Sequence, residues 1–231
     1  MEDNIYVNGE YFKKNPAYHV DDSPWKARHI LKMIEKTHAE ARSIGEIGCG
    51  AGEILRQLQF QMPAETRFCG YDISPQAIEL CKERANAHLS FHCQDLLTET
   101  IEPFDILLCI DVFEHVEDYL GFLRKARARA KMKIFHIPLD LSVQTIIRGF
   151  PLIQFRQKLG HLHYFTKDIA LSALRETGYE IVDYFYTPTA LDLGKTALVK
   201  IARLPIKISS MINQDMAARI FGAHSLLVAA R

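Results

Sequence analysis

The sequence predicts an α/β fold: a doubly wound, mostly parallel seven-stranded sheet with helices on both faces and an antiparallel last strand. Three observations predict it. From residue 42 onward, short apolar runs alternate with amphipathic helical stretches, the pattern of right-handed strand–helix–strand crossovers. Residues 104–110, FDILLCI, form a nearly unbroken apolar run, as expected of a central parallel strand covered on both faces. A glycine-rich turn with Gly48, Gly50 and Gly52 follows the first apolar run and opens the next helical stretch.

Each element has its own signal. Residues 1–22 are aromatic and polar and read as an arm. A helix is expected from Asp22-Ser23-Pro24, with Ser23 as cap and Pro24 in the first turn. Trp25, Ile30, Leu31, Ile34 and His38 then recur near helical spacing. Ser43–Ile47 reads as a strand, 53–61 as a helix and 66–71 as a second strand. A helix from Ser74-Pro75 to about residue 87 should bury Ala77, Ile78, Cys81 and Ala85. Leu89–Cys93 is a third strand, Phe104–Ile110 the fourth, 119–130 a helix and 133–137 the fifth strand. Residues 138–165 read as irregular, 167–177 as a helix ended by Gly178, and 179–186 as the sixth strand. Pro205 should split two amphipathic stretches, 194–204 and 207–221, before a last strand at 225–229.

The 231 residues fit one domain: an arm and helix at 1–40 as a lid, a ligand-binding core at 41–186, a helical insertion or second lid at 187–222 and a last strand at 223–231. Lys plus Arg and Asp plus Glu are 28 each, so no global basic field favours nucleic acid. The basic run Arg124, Lys125, Arg127, Arg129, Lys131 and Lys133 reads as a solvated face. Cys49, Cys69, Cys81, Cys93 and Cys109 show no metal or redox spacing and suit a reducing, cytoplasmic setting. The polar N-terminus lacks a signal-peptide core, and no apolar stretch is long enough to span a membrane.

The chemistry begins at the glycine turn. Glycines allow a sharp turn and a close ligand approach. A dinucleotide site would want a further glycine at 53, where Glu53 stands. A carboxylate at that helix N-terminus would repel a pyrophosphate, so a ligand without phosphates suits the turn better. A purely structural turn is the competing reading. Asp72 ends the second strand, where an acid can accept two ribose hydroxyls; the rival role is a helix cap, which Ser74 fills better. Asp95 ends the third strand where an adenine amino group would reach, and Leu96 could add its backbone N–H. Ligands bind at the carboxyl ends of parallel strands, and three successive ends here carry suitable groups.

In these motifs the sequence resembles the class I S-adenosylmethionine-dependent methyltransferases, small-molecule branch. EIGCGAG is similar to their first motif, GYDIS to the second, CQDL to the third and FDILLCIDVFEHVEDY to the fourth, over about residues 40–185. HLHYFT with the later GYEIVDYFY resembles that branch's late segment, and NPAYHVDDSPWKA the lid of part of it. The resemblance implies that Glu46, Gly48, Cys49, Gly50 and Gly52 flank the methionine part and ribose of the cofactor. It also implies that Asp72 binds the ribose hydroxyls, Ile73 packs on adenine, Asp95 and Leu96 hold its amino edge, and Asp111 lies beneath the sulfonium. Lys26 or Arg28 could pair with the cofactor carboxylate.

The expected function is methyl transfer to a small, partly apolar acceptor, at oxygen by family frequency. Alignment in a dry site supplies about 7–11 kcal/mol of barrier lowering, and a base helps when the acceptor is a hydroxyl or amine. His115 leads as base, with His163 named beside it and His136 and His161 behind. Each histidine also has a structural reading. No metal is expected, although Asp111, Glu114 and His115 resemble the metal motif of ubiquinone-pathway O-methyltransferases and small-RNA 2′-O-methyltransferases. Two rival functions follow: a metal-assisted RNA 2′-O-methyltransferase, and a non-catalytic S-adenosylmethionine-binding module. The 194–221 stretches, with Leu198, Ile201, Leu204, Ile206, Ile208, Met211 and Ile212 among Lys195, Lys200, Arg203 and Lys207, should lid the pocket. They could instead touch a membrane surface or form a homodimer face; a monomer fits equally.

Overall fold

The computed structural model of the chain describes residues 4–194 and 203–231 in full and 197–202 as backbone. Lys195, and the side chains of Leu198, Lys200 and Ile201, lie outside the described residues. Seven strands form one sheet: β1 (Ser43–Ile47), β2 (Arg67–Asp72), β3 (Leu89–Cys93), β4 (Phe104–Ile110), β5 (Ala130–Pro138), β6 (Ile181–Thr187) and β7 (Ser225–Ala230). Their order is β3-β2-β1-β4-β5-β7-β6, parallel except for β7, which is antiparallel to both neighbours. The class predicted from sequence is the class observed. The chain turns back across the sheet between β1 and β4, where Ile44 pairs with Ile106 and Ile47 with Cys109. Open α/β sheets bind ligands in the crevice beyond the strand ends at such a switch point.

Helices complete the layers: α1 (Glu10–Lys14), α2 (Ser23–Thr37), α3 (Glu53–Gln59), α4 (Pro75–Cys81), α5 (Tyr119–Ala126), α6 (Val143–Arg148), α7 (Phe150–Lys158), α8 (Lys167–Glu176), α9 (Thr189–Leu193), α10 (Ala197–Ile212) and α11 (Gln214–Phe221). Successive side chains of β4 go to opposite faces. Leu107 and Cys109 join Phe135, Leu123 and Leu174 on one side. Ile106, Leu108 and Ile110 join Ile30, Met33, Leu55 and Leu58 from α2 and α3 on the other. Both faces of β4 are therefore buried, which is why its run lacks polar alternation.

Several local expectations are corrected. The residue preceding α2 is Asp22, whose side chain makes no cap bond, and Ser23 lies inside the helix. His38 takes the left-handed C-cap conformation of α2 and is exposed, so it adds nothing to the apolar face. The helix from Pro75 stops at Cys81, short of residue 87, and Ala85 is exposed. The stretch expected to be irregular holds α6 and α7, with a capping box at Ser142 and Thr145 opening α6. Pro205 lies inside α10; the break falls at Asn213, whose side chain accepts from Met216 N and caps α11. A proline's missing N–H costs one helix bond, whereas an Asn cap starts a new helix outright. Part of the basic run is also partnered: Arg127 and Arg129 donate to loop carbonyls, and Lys131 pairs with Asp105 at 2.8 Å. Lys133 is buried over the Tyr179 ring.

Candidate functional site

A cavity of about 1460 Å³ opens at the carboxyl ends of β1 to β4, walled by the arm, α6, α7, α9 and parts of α10 and α11. Drug-sized ligands occupy roughly 300–1,000 Å³, so there is room for two reactants side by side.

The glycine turn forms the floor. Gly48 N and Cys49 N donate to Tyr71 O at 2.8 and 3.1 Å, which ties the turn to β2. Gly50 has φ +53°, and its amide donates to Asp72 Oδ2 at 2.9 Å. Ser74 N donates to Asp72 Oδ1 at 2.8 Å, and Ser74 Oγ accepts from Ala77 N as the cap of α4. One carboxylate thus fixes both the turn and the start of α4. Burial pushes the Asp72 carboxyl up, opposed by these backbone donors. Gly52 has φ +76°, and a Cβ there would lie 2.4 Å from the Phe91 ring. Gly52 is outside the cavity wall; it serves the packing of α3 on β3 and not the ligand face.

Glu46 is buried at 1 % exposure and Oε2 has no hydrogen-bond partner, although the residue lines the cavity. Burial raises its pKa well above the usual carboxylate range, with Lys26 pulling it back. Cys49, Ile73, Asp95 and Leu96 also line the cavity. Ile73 is 40 % exposed, a large apolar side chain without a cover. Asp95 Oδ1 accepts from Leu97 N at 2.9 Å, so it caps the short turn after β3 while facing the cavity.

Asp111 follows β4 with φ +54°, a backbone conformation unfavourable for a residue other than glycine. Its carboxylate lies between Lys26 Nζ at 2.7 Å and His136 Nδ1 at 2.6 Å. Burial opposes its ionisation, but His136 and Lys26 outweigh that and hold the carboxyl well below its usual range. His136 Nε2 continues to Thr187 Oγ1 at 2.9 Å. His136 is therefore a buried bridge, and Lys26 spends its charge on Asp111. Arg28 is exposed and off the cavity wall.

His115 lines the cavity, with burial first and His161 second lowering its pKa to about 4. Its Nδ1 shares a 2.9 Å hydrogen bond with Tyr6 OH. His161 stands beside it at 4.8 Å between ring centres, held by Asp140 at 2.6 Å. Glu114 is fully buried and neither carboxylate oxygen has a hydrogen-bond partner, although Oε1 lies 3.8 Å from His115 Nε2. Among the described residues, Glu114, His115 and His161 bring ligand atoms within 4.8 Å of one another. Asp111, the first member of the sequence motif, is not in that set; its carboxylate is held by Lys26 and His136 instead. His163 is off the wall: its Nε2 lies 3.0 Å from Val116 O and the ring packs on Tyr119.

Sequence reasoning missed the arm's tyrosines. Tyr6, Tyr11 and Tyr18 line the cavity, with ring centres 4.9 and 5.5 Å apart along the series. Tyr18 OH shares a 2.7 Å bond with Ser74 Oγ, and Tyr18 and His19 take φ of +43° and +56°. The aromatic density of residues 6–18 was the available signal.

Residues 46–132 match a methyltransferase domain family. A ubiquinone biosynthesis O-methyltransferase of Coxiella burnetii is 29 % identical over 107 residues, 44 % of each chain. The match thus spans less than half the length of this curated relative. Among solved structures, the plantazolicin methyltransferase BpumL in complex with SAH superposes with a TM-score of 0.62 at 16 % identity, covering 97 % of this chain and 93 % of that one. The N-methyltransferase NodS of Bradyrhizobium japonicum, also an SAH complex, gives 0.56 at 18 % identity over 89 % and 85 %. Both likenesses concern the fold.

Proposed function

We infer that this chain, whose residues 46–132 match a methyltransferase domain family, transfers a methyl group from S-adenosylmethionine to a small, partly apolar acceptor. The observation that carries the reading is Glu46: a fully buried carboxylate, one oxygen unpartnered, on the wall of the cavity beside Gly48–Gly50. A buried acceptor without a donor is costly, and the ammonium of an amino-acid ligand would supply one. The other residues fit the same cofactor. Asp72 retains acceptor capacity toward two ribose hydroxyls, Ile73 offers an uncovered apolar surface to a base, and Asp95 and Leu96 border the same space. Lys26, already paired with Asp111, is not available to bind the cofactor carboxylate by itself.

When bound, the cofactor supplies an electrophilic methyl on a sulfonium. The chain's part is alignment and proton removal. Tyr6, Tyr11 and Tyr18 line one side of the cavity with apolar rings. His115 stays neutral at pH 7 because burial resists its protonation. In the tautomer that places the proton on Nδ1 toward Tyr6, Nε2, 3.8 Å from Glu114 Oε1, would carry the lone pair that takes the acceptor's proton. Among the described residues, α9 acts as a lid: Trp25 Nε1 donates to Asp192, and Thr189, Ala190, Leu191 and Leu193 line the cavity.

A second reading is favoured by one observation, the unpartnered Glu114 carboxylate beside His115 and His161. A carboxylate and two imidazoles suit a divalent ion. Under this reading chelation abolishes turnover and added Mg²⁺ or Zn²⁺ restores it.

The test is to incubate the protein with methyl-tritiated S-adenosylmethionine and cell extract, then separate RNA, protein and solvent-extractable material. Label in the solvent-extractable fraction supports the reading. Label confined to RNA overturns the acceptor class, and no label in any fraction favours a binding module.

A further inference from the structure

Eleven of the seventeen exposed large hydrophobic residues among those described lie on α6, α7, α10 and α11. They include Ile147 at 80 %, Phe150 at 51 %, Met211 at 80 % and Ile212 at 82 % exposure. The helices are neighbours: α6 packs on α7 and α11, α11 on α10, and Gln144 Nε2 donates to Phe221 O. Soluble surfaces rarely concentrate apolar side chains in this way without a partner.

Charge indicates the partner. The sequences of α6, α7, α10 and α11 contain seven Lys or Arg and a single acid, Asp215, which is paired with Lys167 and Arg219, in a chain whose formal net charge is zero. Arg148, Arg156, Lys158 and Lys207 are exposed, Arg148 and Arg156 where the face meets the cavity wall, and the Arg148 guanidinium lies 4.7 Å from the Phe150 ring centre. Interleaved apolar and basic side chains on short surface helices match the boundary between acyl chains and anionic headgroups. A second copy of the chain is a poorer occupant, because a twofold contact would set these cations against themselves. Among the described residues no helix is long and apolar enough to cross a membrane, so contact through this face is peripheral.

We propose that α6, α7, α10 and α11 form a docking face for an anionic bilayer surface. The inner sides of the same helices carry Thr145, Phe155, Ile206 and Phe221 of the cavity wall. A docked molecule therefore holds its cavity close to the lipid phase, within reach of an amphiphile there. The proposal is independent of the methyl-transfer reading, because its readout is vesicle binding.

The experiment is co-sedimentation of the full chain with vesicles of phosphatidylcholine alone and of phosphatidylcholine with phosphatidylglycerol, at low and high salt. Binding is expected with the anionic vesicles, weaker with the neutral ones, and reduced by salt. Ile147→Asp and Met211→Asp change exposed side chains, so the folds should melt as wild type does. Together they should weaken vesicle binding on the order of tenfold or more. S-adenosylhomocysteine binding, measured separately, should stay unchanged. Absence of binding to either vesicle, or equal binding by wild type and the double variant, overturns the proposal. So does light scattering that shows a dimer dissociated by the same substitutions, since self-association would then account for the face.

Discussion

Residue by residue, the site divides into groups that shape the backbone and groups that face a ligand. Gly52 belongs to the first kind. Adding a Cβ at φ +76° and 2.4 Å from Phe91 strains the turn and displaces a packed ring. Gly52→Ala should lower stability by about 1–3 kcal/mol, read from urea unfolding, and weaken cofactor binding only through that loss. His115 belongs to the second kind. His115→Ala should lower kcat about 10²–10⁴-fold while calorimetry finds S-adenosylhomocysteine affinity near that of wild type. Equal losses in both would make it a cofactor-binding residue. Sequence spacing located Asp72, Asp95 and Asp111 because strand ends are legible from apolar runs. It could not foresee that Asp111 is held between Lys26 and His136, since those partners come from α2 and β5. The same limit explains His163, which is close to the cavity along the chain but turned onto backbone carbonyls.

Among elements, the arm is the part whose role the sequence only hinted at. No residue of α1 is buried, yet three arm tyrosines line the cavity. Removing residues 1–18 should therefore leave thermal stability nearly intact and weaken S-adenosylhomocysteine binding by roughly tenfold, the loss of about 1.4 kcal/mol of contact. A large fall in melting temperature would show instead that the arm is structural. Strands and most helices were legible because their periodicity is local. The 138–165 stretch hid α6 and α7 because exposed apolar residues such as Ile147 and Phe150 blur the usual amphipathic pattern. Pro205 marked a break that α10 does not make, and the Asn213 cap marked the true one.

At the scale of the whole molecule, the sheet buries its charges sparingly, and Lys133 on β5 is an exception. Burial first and Arg127 second lower its pKa from 10.5 to about 8. The folded chain thus releases this proton at a lower pH than the unfolded chain. Between about pH 8 and 10 the unfolded state binds more protons, so this residue's contribution to stability rises with pH. The urea midpoint of wild type should gain relative to Lys133→Met as pH goes from 7 to 9.5, and the variant should be the more stable at pH 7. A difference that is flat with pH would show that the lysine is solvated in the fold.

The same scale holds the central claim, that the crevice between β1 and β4 is a site for S-adenosylmethionine. Isothermal calorimetry with S-adenosylhomocysteine on wild type and Asp72→Ala tests it most directly. One molecule should bind per chain, with affinity at least tenfold lower in the variant, since a charged hydrogen-bond partner contributes about 1.5–3 kcal/mol. No binding to the wild type, or equal affinity in a folded Asp72→Ala, would contradict it.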